Sequence, residues 1–200
     1  MSAVDAAVEA IRAGRLAVVP TDTVYGLATS PYSEAPVRRL YRAKGRDDLQ
    51  PTALVAAELD VLFECLPELG GRDDTIVRAL LPGAFTLVLP NPARRFGWLT
   101  GTRPETIGVR VPKLSGPGGE VLAKVGAIAA TSANLPGEPD PRTLDAVPEE
   151  LRAAADVLVD GGELAGVPST VIDFTGAVPL VLREGAASAA DALRAVGSVL

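Results

Sequence analysis

Along this chain, short apolar runs bounded by Gly and Pro alternate with stretches whose apolar side chains return every three or four residues. Val4, Ala7, Val8 and Ile11 recur at helical spacing, and Gly14 stands where that helix should stop, just ahead of the apolar run "LAVV". The predicted order is helix, strand, then a loop, "PTDTVYGLA", that concentrates two threonines, an aspartate and a tyrosine. "APVRRLYRAKG" predicts a second helix ending at Gly45, with Val37, Leu40 and Tyr41 on one face and Arg38, Arg39, Arg42 and Lys44 around the rest.

Further on, "TALVAA", "FTLVL", "TIGVRV", "AIAA", "VLVD", "STVID" and "LVLR" read as strands of a largely buried sheet. Helical patterns fall at Asp74 to Leu81, Glu120 to Val125 and Pro148 to Ala155, and again at the C-terminus, where Ser188 can cap the start. Helices and strands do not alternate strictly. The expectation is therefore an α/β fold, a mixed parallel and antiparallel sheet with helices packed on it. "KLSGPGGE" and "NLPGEPDPRT" are too short to be interdomain linkers, so residues 1–200 are read as one domain.

Composition narrows the chemistry. The formal net charge is −6, which disfavours a broad phosphate-binding surface and leaves room only for a local basic cleft. Cys65 is the one cysteine, so neither an intrachain disulfide nor a paired-cysteine metal site is available. Histidine is absent, which removes Ser-His-Asp and Cys-His mechanisms. No signal peptide and no apolar run long enough for a membrane helix is visible, so a cytoplasmic protein is expected.

Three segments share one pattern, hydroxyl or amide side chains at the end of a buried strand: "PTDTVYGLA", "IAATSANLPGEPDP" and "GVPSTVID". Strand ends of open α/β sheets are where ligands bind. If the first stays extended, Thr21 and Thr23 share a face while Asp22 and Val24 point away; two readings stay open, a polar strand-to-helix connection and a ligand site. "KGR", Lys44 to Arg46, pairs a mobile point charge with a planar donor fork, suited to polyphosphate, although cations also favour a helix C-terminus. Arg110 and Arg183 each interrupt an apolar strand and need an acid or a bound anion. Asp22, Asp48 and Asp173 are read as solvated or capping carboxylates ahead of any indirect metal role. No P-loop or G-x-G-x-x-G fingerprint is present.

Taken in order, "PTDTVYGLA", "KGR", "PGAFTLVL", "TIGVRVP", "ATSANLPGEP", "PSTVID" and "VLREG" resemble the YrdC-like family of threonylcarbamoyl-AMP synthases across almost the whole chain, in the short single-domain form. The resemblance implies a YrdC-like twisted sheet around a ligand cleft. It also implies conversion of L-threonine, bicarbonate or CO2 and Mg-ATP to threonylcarbamoyl-adenylate and pyrophosphate. The adenylate would pass to tRNA-modification proteins for N6-threonylcarbamoyladenosine formation in tRNA. By the same resemblance Lys44 and Arg46 are the catalytic cations and, with Ser132 and Asn134, line the ATP site. Gln50, Thr106, Asp140 and Arg183 border the nucleotide. Thr23, Arg110, Ala130 and Ser169 surround the threonine, Arg110 at its carboxylate. No residue is assigned to a metal; Mg2+ comes with ATP.

The sequence departs from the family pattern at Asp47, at Gln50 and Pro51, and at Ala84 in "PGA". It departs also at Val55, where the family usually carries a histidine against the substrate threonine. The alternative expectation is a diverged nucleotide- or RNA-binding paralogue without synthase activity, contacting tRNA or double-stranded RNA, which the acidic charge balance disfavours.

Overall fold

The computed structural model describes residues 2–46 and 49–200. In chain order its first half comprises α1 (Ala3–Arg12), β1 (Ala17–Pro20), β2 (Tyr25–Thr29), α2 (Glu34–Ala43), β3 (Ala53–Ala56), α3 (Leu59–Cys65), α4 (Arg72–Leu80) and β4 (Phe85–Pro90). A 3-10 turn at Gly97–Leu99 leads to β5 (Thr106–Arg110), α5 (Gly116–Val125), β6 (Ala127–Ser132), α6 (Glu149–Ala154), β7 (Val157–Leu158), β8 (Thr170–Asp173), β9 (Leu180–Arg183) and α7 (Ala189–Gly197).

The strands form one mixed sheet in the order β7-β1-β2-β6-β3-β5-β4-β8-β9. Pairing is antiparallel at β1/β2, β2/β6, β3/β6, β4/β5 and β8/β9, and parallel at β7/β1, β3/β5 and β4/β8. The α/β mixed-sheet expectation therefore holds. Most helices end close to their sequence signals; Ser188 caps α7 by accepting from the Asp191 amide at 3.2 Å. The sequence reading did not foresee α3 or the strand β2.

The β2 strand corrects the reading of the opening motif. "PTDTVYGLA" is a hairpin turn followed by a strand, not a strand-to-helix connection. Nor is its chain extended at the threonines: Thr21 Oγ1 donates to the Val24 carbonyl at 2.6 Å and accepts from the Thr23 and Val24 amides, each at 3.2 Å. That side-chain-closed turn reverses the chain so that Val19 faces Gly26 across the ladder.

Burial follows the two-residue period of the strands. Leu16, Val18, Tyr25, Leu27, Leu54, Leu87, Leu89 and Val109 pack on one face, under α2, α3, α4, α6 and α7. Ala17, Val19, Ala28, Val55 and Ile128 turn to the other face, where α1 and α5 are the covering helices among the described residues, through Ala7, Val8, Ile11, Val121 and Leu122. Those two helices pack on each other and against the β7-β1-β2-β6 end of the sheet. Beyond them the second face is bare over β3, β5, β4 and β8, and this uneven cover creates a cleft.

The connection from β7 to β8 closes one side of it. Residues 159–169 form a strap that lies against the β1–β2 hairpin turn, Gly161 beside Pro20 and the Gly166 amide donating to the Thr23 carbonyl at 2.9 Å. Among the described residues no helix is long and apolar enough to cross a membrane.

Candidate functional site

The floor of the cleft, of about 350 Å3, consists of the cleft-facing positions of β6, β3, β5 and β4, which the ladder sets in three rows. The first row is Ile128, Val55 and Arg110, paired across β6, β3 and β5. The second contains Ala130, Ala53, Gly108 and Val88, with Ala130 opposite Ala53 and Gly108 opposite Val88. The third holds Ser132, opposite Gly26, and Thr106, opposite Pro90. From α5 outward the floor changes from aliphatic around a single cation, through a strip almost without side chains, to hydroxyls. At Gly108 a Cβ would meet nothing nearer than Thr86 Cγ2 at 3.7 Å, so the missing side chain opens space above the sheet.

At the hydroxyl end, α2 delivers the "KGR" segment. Gly45, at φ +61°, closes the helix in a left-handed turn that sends Lys44 and Arg46 to adjacent places. Lys44, a residue only 6% exposed, donates through its ammonium to the Ser132 carbonyl, to Ser132 Oγ at 3.3 Å and to Asn134 Oδ1 at 2.8 Å. Ser132 Oγ donates to the same Asn134 oxygen at 2.6 Å. Arg46 donates to Gln50 Oε1 at 2.7 Å, to the Pro51 carbonyl at 2.6 Å and to Thr131 Oγ1 at 3.2 Å. Burial, with help from Arg46, pulls the Lys44 pKa down to about 8, while Asp140 opposes the shift. Burial lowers Arg46 as well. Two desolvated cations side by side, held by neutral oxygens and amides, form a site that an anion would relieve.

At the aliphatic end, Arg110 donates to Asp22 Oδ1 at 2.7 Å, and its Nε is buried without a hydrogen-bond partner. Desolvation outweighs the ion pair for both groups, lowering the arginine and raising the aspartate. Asp22 is therefore not the solvated carboxylate expected; the Thr21 turn folds it inward. Thr23 is fully buried, 3.1 Å from Thr21 Oγ1. On the strap side, Ser169 Oγ lies 2.8 Å from Thr86 Oγ1, and Arg183 donates to the Ser169 carbonyl at 3.0 Å and its hydroxyl at 3.2 Å.

Of the residues singled out in the sequence, Thr23, Arg46, Thr106, Arg110, Ala130, Ser132, Ser169 and Arg183 line this one cleft. Lys44 and Asn134 join it through Ser132, and Gln50 through Arg46. Asp140 stands near enough to act on the Lys44 charge. Asp173, read as solvated or capping, is tied up with Arg103 at 3.0 Å and Thr175. Asp47 and Asp48 lie outside the described residues. Sequence reasoning missed Thr86, Thr131 and Arg103; a threonine between apolar strand neighbours was the only signal for Thr86.

An α/β protein with a cleft built from paired cations, hydroxyls and a buried arginine is a class shared with known proteins. A family model for Sua5, YciO and YrdC, described as telomere recombination, matches residues 9–185. A relative from Pyrococcus abyssi named threonylcarbamoyl-AMP synthase is 33% identical over 195 residues, 94% of this chain and 56% of its own. One of the same name from Xanthomonas campestris pv. campestris is 36% identical over 167 residues, 82% of this chain and 87% of its own. The crystal structure of P. abyssi Sua5 complexed with L-threonine superposes with a TM-score of 0.87 at 32% identity, covering 98% of this chain and 58% of that one. This chain thus spans little more than half the length of the Pyrococcus proteins and most of the Xanthomonas one. It belongs to the Sua5/YciO/YrdC family.

Proposed function

We propose that this chain is a threonylcarbamoyl-AMP synthase, using L-threonine, bicarbonate or CO2 and Mg-ATP. The observation that carries the reading is a single cleft with Arg110 and its unpartnered Nε at one end, Lys44 and Arg46 at the other, and a floor of Ala130, Ala53 and Gly108 between. The relatives' name and the threonine complex of Sua5 support it.

The chemistry follows from that order. Arg110 holds the amino-acid carboxylate, with Thr23, Ala130 and Ser169 around it. The neutral threonine amine attacks CO2 with loss of one N–H proton to solvent, or bicarbonate with loss of water, to form an N–C bond and give a carbamate. A carbamate oxygen then attacks the α-phosphorus of ATP, the bond from that phosphorus to the α,β-bridging oxygen breaks, and pyrophosphate leaves carrying that oxygen. Lys44 and Arg46 neutralise the charge that grows on the phosphates, Mg2+ arriving with the nucleotide. Ser132, Asn134, Gln50, Thr106, Asp140 and Arg183 bound the nucleotide. No protein nucleophile is required, which suits a chain without histidine; positioning and electrostatics supply the acceleration. The adenylate is passed to tRNA-modification proteins for t6A formation, with the cytoplasm as compartment.

The test is pyrophosphate release from ATP with purified protein, Mg2+ and bicarbonate. Release that depends on L-threonine and is lost in Lys44→Ala supports the reading. ATP binding without amino-acid-dependent release would leave a nucleotide-binding paralogue instead.

A further inference from the structure

Of the four arginines that line the cleft among the described residues, Arg46, Arg110 and Arg183 have a part in the reaction above and Arg103 has none. Its guanidinium is fixed in place: Nη1 donates to Asp173 Oδ2 at 3.0 Å, Nη2 donates to Thr175 Oγ1 at 3.3 Å, and Nε lies 3.5 Å from Glu105 Oε1. Asp173 is the ladder partner of Val88, so it continues the second floor row of Ala130, Ala53, Gly108 and Val88 onto β8. The strip of floor almost without side chains therefore ends at a pinned, half-exposed guanidinium.

The reaction puts the nucleoside on that side. Attack and departure at phosphorus run in line. With the amino acid at Arg110 and the pyrophosphate at Lys44 and Arg46, the 5′-oxygen leaves the α-phosphorus sideways. One side is walled by Asp22, Thr23 and the α5 residues Gly118 and Val121. On the other the sheet is bare, and the lining is Val88, Val171, Leu182 and Arg103. Leu182 is an aliphatic side chain of the edge strand β9, left 52% exposed. Asp173 and Glu105 offset the Arg103 charge, which makes it a weak clamp for phosphate. What it presents is a flat face, the surface with which a guanidinium stacks on an aromatic ring. We infer that Arg103 stacks on the nucleobase of ATP and, with Leu182, forms the nucleobase slot of the cleft. The inference rests on the synthase reading of the same cleft and adds the residues that hold the nucleoside half of ATP.

Calorimetry compares binding of Mg-ATP with that of Mg-tripolyphosphate, which carries the phosphates without the base, in the wild type, Arg103→Ala and Arg103→Lys. Arg103→Lys keeps a cation beside Asp173 and removes the plane, so it separates stacking from charge and from folding. The expected result is a loss of at least about fivefold in ATP affinity in both variants, with tripolyphosphate affinity held within about twofold. In turnover the KM for ATP rises while that for L-threonine stays as it is. ATP affinity retained in Arg103→Lys, or ATP and tripolyphosphate weakened together, would overturn the inference and leave the synthase reading intact. If no amino acid supports pyrophosphate release, the synthase reading fails, and the comparison of ATP with tripolyphosphate still decides Arg103. A wild type that binds no ATP overturns both.

Discussion

Lys44 and Asn134, ninety residues apart in the chain, meet at 2.8 Å, and Ser132 bonds both. The contact ties the C-terminus of α2 to the end of β6 and presents an ammonium whose positive charge is only partly solvated. If this cation neutralises the departing pyrophosphate, Lys44→Ala and Arg46→Ala should each lower the rate of adenylate formation by about 10²- to 10³-fold, the cost of removing one preorganised charge donor. Single-turnover assays check this, with circular dichroism to show a retained fold. Near-wild-type rates in both variants would remove these residues from the mechanism.

The depressed Lys44 pKa makes two pH predictions. The unfolded lysine titrates near 10.5 and the folded one near 8. Below pH 8 it is charged in both states, and its desolvation cost is fully present; between about 8 and 10.5 the folded group sheds its proton first, and its contribution to stability rises. Nucleotide binding runs the other way. An anion raises the Lys44 pKa again, so binding takes up protons around pH 8 to 9, and affinity weakens as pH rises through that window. Calorimetry at pH 8.5 in two buffers of different ionisation heat measures the uptake; identical apparent enthalpies would contradict it, as would an uptake that persists in Lys44→Met.

Asp22 is the only carboxylate hydrogen-bonded to Arg110 among the described residues. Asp22→Ala leaves a guanidinium that is 13% exposed without a counter-charge. The expected loss is about 3 kcal/mol, at the lower end for a broken buried pair because cleft water reaches the arginine. Urea denaturation measures it. A loss below about 0.5 kcal/mol would mean that water already solvates Arg110 as well as Asp22 does.

Tyr25, fully buried on β2, anchors the strap that carries Ser169. Its hydroxyl donates to Gly162 O at 2.8 Å or to Asp160 Oδ1 at 3.0 Å and accepts from the Gly161 amide at 2.9 Å. Tyr25→Phe keeps the ring packed and removes these bonds, so stability should fall by about 1–3 kcal/mol. Limited proteolysis should then cut first within 159–169; unchanged cleavage there would show that the strap is held by its other contacts.

Gly108 makes the opposite test, of space and not of stability. A Cβ at this position has only ordinary contacts, so Gly108→Val should unfold at nearly the wild-type temperature while its branched side chain fills the middle of the floor. Ligand affinity should drop at least tenfold, judged by calorimetry with nucleotide. A stable variant with unaltered affinity would move the ligand off this part of the sheet.

Much of this was legible along the chain. The apolar runs located most strands, since a strand buried on both faces must be apolar at nearly every position, and the spacing in 4–11, 35–45 and 188–200 located helices because one face of each meets the core. Hydroxyl and amide residues at strand ends marked the lining of the cleft. The hairpin after Pro20 was not legible, because its turn is closed by the Thr21 side chain and carries no Asn-Gly or Asp-Gly signal. Nor was the partner of Arg110: sequence shows that a buried cation needs an anion, but not that a turn 88 residues away supplies it.

The sequence by itself determined where most of the strands and helices form, and that any chemistry would have to rest on cations, carboxylates, hydroxyls and amides without histidine. These follow from local periodicity and from the inventory of side chains. The tertiary structure alone decided that Ile128, Val55 and Arg110 share one row and Ser132 and Thr106 another, and that α1 and α5 cover only half of one sheet face. Strand order and register are set by the summed packing of the whole sheet, and no single segment encodes them.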